Sequence, residues 1–201
     1  ESVLAEAALT RDAATFDVDL EVADATGFAV GDDVLVGQVI TDAFIAEHGM
    51  TGTWKAFNGT WQAFLRRDVV AVDTSASPHR VTLDAPVRYP LRVAHGATLR
   101  RVGGLIREVG LEGVGIANAI EWERAWQNDQ VTAIAFDHVA DAWVRDVASF
   151  ASPGAPKEGM GAGAHLQSNG ILVSRSKRVT VAQVHLALAQ HRGSGGNGYL
   201  F

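Results

Sequence analysis

The sequence predicts an all-β chain whose C-terminal half winds into a solenoid of stacked coils. Three segments of that half align so that the same positions are apolar each time, and they start 33 and 37 residues apart: Val109–Val114, Ala142–Val147 and Val179–Val184. Spacings of roughly 20 to 45 residues are typical of solenoids, in which each repeat buries its apolar side against the next. Stacking the segments predicts three ladders across the coils: Val109/Ala142/Val179, Leu111/Val144/Val181 and Val114/Val147/Val184.

A second apolar segment precedes each of the last two copies at the same distance. Ile134–Phe136 lies ahead of the second copy as Ile171–Val173 lies ahead of the third. Two short strands per turn, joined by a sharp corner, are typical of a parallel β-helix coil. The sequence therefore predicts two short strands in each of these two coils.

A helical alternative exists for residues 134–150. Apolar side chains recur there at steps of three and four, which would fit an amphipathic helix. These side chains are Phe136, Val139, Ala140, Trp143, Val147 and Phe150. The third copy favours strands, because its β-branched residues are stiff at χ1 and prefer a pleated surface.

A charged corner followed by a Val-Thr-Val strand occurs at Ser176–Val181. Together with the repeats, it resembles the right-handed parallel β-helix proteins of the pectate-lyase-like class. The resemblance covers residues 101–201 and implies a secreted or cell-surface protein that acts on a polysaccharide as a lyase or a glycoside hydrolase. It also implies calcium as a candidate cofactor. Neither the lyase nor the hydrolase arrangement of catalytic side chains matches position by position, so the resemblance assigns no catalytic residue.

The composition limits the classes of function. Hydrophobic residues make up 47% of the chain and charged residues 20%, which is typical of a globular protein. The formal charge of −6 provides no basic surface for a phosphate backbone, so nucleic acid is not a predicted partner. No apolar run approaches the roughly 18 residues of a membrane span, so a membrane is not predicted either. The sequence has no cysteine for disulfides or thiolate metal sites, and nothing in it determines the oligomeric state.

Residues 1–90 are predicted to form a small β-barrel-like module, and residues 91–201 the first coils of the β-helix, with the boundary near Pro90. The Ala-rich residues 1–14 fit a short helix or an N-terminal cap. The segment Gly27–Val34 resembles modules found beside β-helices. Alternating patterns predict strands at 15–24, Val34–Val36, Arg67–Val72 and Arg80–Asp84, the last two as a hairpin.

A loop between Gln38 and Leu65 carries two tryptophans, Trp54 and Trp61, after one or two helical turns at Ile40–His48. Binding residues concentrate on loops that a rigid scaffold holds. Both tryptophans are therefore predicted to contact a substrate. The alternative is that their rings pack the loop onto the module.

The second copy carries a candidate recognition site and a candidate catalytic pair. Trp143 and Arg145 should point outward on either side of Val144, where a ring can stack on a sugar and a guanidinium can grip a uronate carboxylate. Asp137, together with Asp141 or Asp146, is a candidate for the paired carboxylates of a glycosidase. The alternative is an exposed charged strand with ordinary surface ion pairs.

Basic residues of the third copy supply further candidates. Arg175 would stack over His138, and it could act as the base of a lyase if its pKa were depressed; salt bridges between coils are the alternative. His185 is a second candidate base, with His191 and Arg192 as substrate-binding residues beside a Gly-rich turn. No carboxylate lies at a suitable spacing from these histidines, so no metal ligand is assigned.

Acidic side chains on the wet face of the first strand, Asp17, Asp19, Glu21 and Asp24, resemble a calcium surface, although such side chains are more often simply solvated. Two insertions at 116–130 and 152–168 would wall a groove if they project from the same face. The end of the chain, Tyr199–Phe201, is apolar where a solenoid needs a polar cap. The sequence is therefore expected to be the N-terminal fragment of a longer protein.

Two functions remain open at this point. The first is a secreted polysaccharide-active enzyme that binds a glycan along the flank of the β-helix. The second is a non-catalytic carbohydrate-binding, adhesin-like or tail-fibre-like structural protein. Convergence of Asp137, Asp146, Arg175 and His185 within about 6 Å, the range over which charges shift one another's pKa, would favour the enzyme.

Overall fold

A computed structural model describes residues 2–55, 57–123, 131–190 and 200. Within these ranges the regular elements are strands, apart from the helix α1 (Asp42–Glu47) and a short 3-10 helix at Val93–His95. The predicted all-β fold class is confirmed. The chain divides into two compact units, residues 1–104 and 105–201. No helix in the described part is long and apolar enough to cross a membrane.

The first unit is a six-stranded antiparallel sheet whose two edges meet. Its strands are β1 (Ser2–Ala8), β2 (Asp19–Val22), β3 (Asp33–Val39), β4 (Trp61–Asp73), β5 (His79–Leu83) and β6 (Thr98–Gly103). Their order in the sheet is β1-β6-β3-β4-β5-β2. Backbone hydrogen bonds of 2.9 Å from Thr10 N to Glu21 O, and from Ala23 N to Ala8 O, join the chain at the two edges. The module is therefore barrel-like, as the sequence predicts.

Buried aliphatic side chains from all around this sheet form one core, with Leu20, Val22, Val34, Val36, Val81 and Leu99 among them. A buried ion pair joins two neighbouring strands, where Arg66 Nε donates to Asp33 Oδ2 at 2.9 Å. A buried charge is tolerated only with such a partner. The α-helix begins after Thr41, whose Oγ1 accepts from Phe44 N at 3.0 Å and caps the first turn.

The structure differs from the prediction at both ends of the first unit. Residues 2–8 form β1 rather than a helix, because pairing with β6 overrides the helix propensity of the alanines. The strand expected over 15–24 starts only at Asp19, since Phe16 has a left-handed φ of 80° and its side chain is 69% exposed. Strand β6 pairs with β1 and β3, so the first unit extends beyond Pro90 to Gly104.

The second unit is built from parallel strands stacked coil on coil. They are β7 (Ile106–Arg107), β8 (Gly110–Ile116), β9 (Thr132–Asp137), β10 (Val139–Ser149), β11 (Asn169–Ser174) and β12 (Lys177–His185). Strand β10 lies between β12 on one side and β7 and β8 on the other, and β11 pairs with β9. Residues 134–149 thus lie in the strands β9 and β10, which His138 separates, and the helical alternative is wrong.

The predicted ladders have the predicted register. Paired residues include Leu111/Val144/Val181, Val114/Val147/Val184, Ala142/Val179, Ile134/Ile171 and Phe136/Val173. The Trp143 amide donates to Val109 O at 3.1 Å, which places Val109 opposite Ala142. Most of their side chains meet in one apolar core, with Val144 at 0% exposure, whereas Val114 and Val173 are exposed. The stacked core residues therefore determine which side chains of β10 point outward.

Corners of the coils stack as well. Asp141 and Arg178 occupy equivalent positions on adjacent coils, and both have a left-handed φ, of 56° and 52°. Glu108 has a φ of 54° at the matching position of the preceding coil. This conformation is uncommon outside glycine, and here it recurs coil after coil. The corners therefore bring charged side chains of successive coils together at the surface.

Replacing Val144 with Asp should unfold the second unit, because an unpaired carboxylate in this dry interior lowers the free energy of unfolding by several kcal/mol. The measurement is thermal unfolding followed by circular dichroism. Ala148→Asp is the matched control, since it adds the same charge to an exposed position of the same strand and should melt like the parent. Parent-like melting of the Val144 variant would show that this side chain does not lie in the core.

Candidate functional site

The outer flank of the second unit carries an aromatic platform, which we define as Gly110, Glu112, Trp143 and Arg145. Trp143 Nε1 donates to Glu112 Oε2 at 3.0 Å, and an Arg145 guanidinium nitrogen donates to the same oxygen at 2.7 Å. The indole lies over Gly110, where a Cβ would stand 2.1 Å from Trp143 Cε2. A glycine beneath the ring and a carboxylate at its edge hold the indole in one orientation.

The register explains why these four residues meet. Trp143 pairs with Gly110 and Arg145 pairs with Glu112, on either side of the buried Val144. Trp143 and Arg145 are predicted from the sequence, but their supporting residues Gly110 and Glu112 are not. The 33-residue offset that aligns Val144 with Leu111 also aligns these pairs, so the signal was present in the sequence.

Charged corners of the coils form ion pairs with one another. Asp141 accepts from Arg178 Nε at 2.5 Å and from Arg107 at 3.2 Å. The hydrogen bond from Arg178 is the largest cause that lowers the pKa of Asp141 to about 2. A second ion pair lies at the end of β9, where Asp137 Oδ1 accepts a hydrogen bond from Arg175 Nε at 2.8 Å. This bond lowers the pKa of Asp137 below its ordinary value, so both carboxyl groups are ionised at neutral pH.

The four predicted catalytic residues occupy different places along the coils. Asp137 and Arg175 are joined by the ion pair just described. Asp146 is exposed at a later corner with a φ of 53°, and His185 is exposed at the end of β12, paired with Ala148. The predicted substrate-binding residues His191 and Arg192 lie outside the described residues, as does the Gly-rich segment 193–198. The catalytic assignments remain predictions.

The two predicted insertions contact each other through their described residues. Asn118 N donates to His165 O, and Gln167 N donates to Asn118 Oδ1, both at 3.0 Å. The ring of Trp122 packs against Gly161, where a Cβ would stand 2.7 Å from the indole. Both loops therefore project from the same face of the second unit. Residues 124–130 of the first insertion lie outside the described part.

The acidic side chains that suggest calcium have partners within the first unit. Asp19 accepts from Thr82 Oγ1 at 2.6 Å, Glu21 pairs with Arg11, and Asp24 accepts from Thr26. Asp17 accepts from the backbone at Ala14. Across the described ranges, no group of three or more His, Asp or Glu side chains is arranged to hold a metal ion. Calcium binding stays a prediction.

A cavity of about 520 Å³ lies between α1 and the loop 48–60 in the first unit. Its walls are mostly rings, with polar side chains at the margin: Ile40, Phe44, His48, Thr53, Trp54, Lys55, Phe57, Gln62, Phe64 and Tyr89. The side chain of Trp54 is 41% exposed and that of Phe57 65%. The loop thus contributes exposed rings to this aromatic cavity, and it also lines a second cavity of about 530 Å³ on the other side of Trp54 and Lys55.

The rings of the aromatic cavity support one another. Phe44 stacks on Trp54 with ring centroids 6.4 Å apart, and Phe64 stacks on Tyr89 at 5.1 Å. The Tyr89 hydroxyl contacts His48 Nε2, while His48 Nδ1 lies 2.6 Å from Phe44 O. A carbonyl oxygen only accepts, so Nδ1 donates, and in the neutral imidazole Nε2 then accepts from the tyrosine hydroxyl. Burial raises the pKa of Tyr89, which keeps its hydroxyl protonated.

The structure separates the two tryptophans that the sequence grouped together. Trp54 lines the aromatic cavity. Trp61 begins β4, and its ring packs against Gly37 beneath the Arg100 guanidinium, 3.8 Å from the ring centroid. Trp61 therefore fits the packing alternative, and Trp54 keeps the position of a binding residue.

Of the residues that line the aromatic cavity, the sequence predicts only Trp54 as a binding residue. Phe44 and His48 are four residues apart at a helix, which places them on one face, and this spacing was visible in the sequence. Tyr89 arrives from a distant segment, and no local pattern indicates it. A neighbouring cavity of about 290 Å³ contains a further missed pair, in which His95 Nε2 lies 3.4 Å from Glu47 Oε2.

No family model matches the chain, and no curated protein matches its sequence. Three phage tailspike structures are similar in fold. The tailspike gp61 of Pseudomonas phage phi297 is 14% identical over 94% of this chain and 32% of its own length, with a TM-score of 0.48. The tailspike gp49 of Pseudomonas phage LKA1 is 15% identical over 90% and 29%, with a TM-score of 0.39.

The third is the Gp54 tailspike of Acinetobacter baumannii bacteriophage AP22 in complex with A. baumannii capsular saccharide. It is 11% identical over 72% of this chain and 23% of its own length, with a TM-score of 0.35. The chain thus spans less than a third of each of these structures. With TM-scores below 0.5, the similarities do not establish membership of a family.

Asp141→Asn should lower the melting temperature of the second unit at neutral pH and lose this effect in acid. The folded-state pKa of Asp141 is about 2 against an ordinary 3.8, so its stabilisation is present above 3.8 and is lost as the pH falls through about 2. Thermal melts of parent and variant at a series of pH values between 6 and 2 provide the measurement. A difference between the two that stayed constant down to pH 2 would contradict the assigned ion pairs.

Proposed function

We propose that this chain is a glycan-binding protein that holds its ligand on the outer flank of the second unit without cleaving it. The observation that carries the proposal is the fixed indole of Trp143 on the outward face of a rigid parallel sheet. An indole offers a large flat apolar area with little conformational entropy to lose. Because Gly110 and Glu112 already fix the ring, binding need not order it.

Polar groups beside the ring suit the hydroxyls of a sugar. One guanidinium nitrogen of Arg145 donates to Glu112, and a guanidinium carries five N–H donors. Glu112 receives both bonds at Oε2, which leaves Oε1 as an acceptor. The charges of Arg145 and Glu112 offset each other, so a uronate would compete with Glu112 for the guanidinium. The aromatic platform therefore favours a neutral glycan over a polyuronide.

The states of the candidate catalytic residues support binding without cleavage. The acid of a glycosidase needs a carboxyl group with a raised pKa, whereas the pKa values of Asp137 and Asp141 are lowered. The base of a lyase must reach its substrate, whereas the guanidinium of Arg175 is held by its ion pair with Asp137. A polysaccharide is met outside the cell, so a secreted or cell-surface location belongs to the proposal.

Trp143→Ala should weaken glycan binding about tenfold or more, the size of effect expected from losing one stacked ring. Isothermal titration against neutral and uronate-containing polysaccharides provides the measurement. Gly110→Ala should also weaken binding although it keeps the tryptophan, because the new Cβ displaces the ring. Trp54→Ala, in the first unit, is the control and should bind like the parent. Undiminished binding by both flank variants would remove the platform from the function.

Incubation with the same polysaccharides should release neither unsaturated products that absorb in the ultraviolet nor new reducing ends. The first would indicate a lyase and the second a hydrolase. Product formation that Asp137→Asn abolished would overturn the non-catalytic part of the proposal.

A further inference from the structure

The aromatic cavity of the first unit differs in chemistry from the flank of the second. Its volume of about 520 Å³ falls within the roughly 300–1,000 Å³ of small-molecule sites, which are lined mainly by apolar and aromatic side chains with a few polar groups. Phe44, Trp54, Phe64 and Tyr89 supply ring surface on several sides. The cavity therefore has the size and lining of a site for a small organic molecule.

A sugar does not suit this lining. Hydroxyl groups that leave water must find hydrogen-bond partners, and the walls offer few. The Gln62 side-chain nitrogen already donates to Thr60 Oγ1 at 2.9 Å. The hydroxyl of Tyr89 donates to His48, and Nδ1 of that ring donates to Phe44 O. A flat apolar body, by contrast, can lie along the rings at no such cost.

The charge at the margin of the cavity is positive. Lys55 is exposed at the rim, and none of the described lining residues is acidic. Asp42 shares an adjacent cavity with Lys55, but it receives a hydrogen bond from Asn58 Nδ2 at 3.0 Å. On the other side, Glu47 is paired with His95 and Arg92. An ammonium beside an apolar wall favours a ligand with an anionic end.

The loop that closes the cavity is tied at both ends. Trp54 N donates to Met50 O at 3.0 Å, directly after the helix, and Gly59 N donates to Ile40 O at 2.8 Å. The stacking of Phe44 on Trp54 anchors the middle of the loop to α1. The rings are thus held in place before any ligand arrives, which lowers the entropy that binding must overcome.

We propose that the aromatic cavity binds a small, flat aromatic molecule with one anionic group. The body of the ligand lies against Trp54 and Phe44, and its charge lies beside Lys55. This site is independent of the aromatic platform, since it is built from residues of the first unit alone.

Two matched probes test the proposal: 2-naphthalenesulfonate, which carries the anion, and the neutral 2-naphthylmethanol. Isothermal titration should show that the parent binds the sulfonate more tightly. Trp54→Ala should weaken both probes about tenfold, through loss of the stacked ring. Lys55→Gln should weaken only the sulfonate, about threefold to tenfold, and added salt should do the same.

Controls distinguish a loss of binding from a loss of folding, and the aromatic cavity from the aromatic platform. Trp54→Phe keeps a ring and should retain binding within a few fold, while thermal melts of each variant report its folding. Trp143→Ala, in the second unit, should bind both probes like the parent. The proposal is overturned if neither probe binds the parent at millimolar concentration, if the alcohol binds as tightly as the sulfonate, or if Trp54→Ala and Lys55→Gln bind the sulfonate like the parent. Loss of glycan binding in Trp54→Ala would likewise overturn it, because the cavity would then hold a sugar.

Discussion

The register of β10 between β8 and β12 is the constraint on which the second unit depends. Side chains alternate along a strand, so placing Val144 between Leu111 and Val181 turns Trp143 and Arg145 outward together. A shift of the strand pairing by one residue would bury the Arg145 guanidinium and expose Val144, which would destabilise the core. The aromatic platform is therefore a consequence of core packing.

Electrostatics at the corners of the coils follow from the same stacking. Left-handed residues recur at equivalent positions, which aligns Asp141 with Arg178 on the next coil. The ion pairs that result hold the carboxyl groups in the charged form and the arginines beside them. Asp137 and Arg175, which looked suited to acid and base chemistry, are thus engaged in joining one coil to the next. This engagement supports the proposed binding function.

Each of the two units presents a surface with its own chemistry. The flank of the second unit pairs one fixed ring with a donor and an acceptor, an arrangement suited to a hydroxylated ligand lying on a flat sheet. In the first unit, a short helix and a long loop line a mostly apolar, open cavity with a cation at its rim. Shape and polarity differ together: a flat polar surface suits an extended chain, whereas a concave apolar one suits a compact aromatic molecule.

The repeat pattern by itself determined the strands of the second unit, their register and the outward position of Trp143, because the same core contact selects the same residue type on every coil. The hairpin of β4 and β5 was equally local. Only the tertiary structure decided that β1 pairs with β6, that β6 belongs to the first unit, and that Tyr89 meets His48. Those contacts join segments far apart in the chain, and their energy depends on partners that no local pattern specifies. Trp54 and Trp61 illustrate the difference. The ring of Trp54 contacts Phe44 and His48 at the neighbouring helix, whereas that of Trp61 packs against Gly37 and Arg100 from other strands.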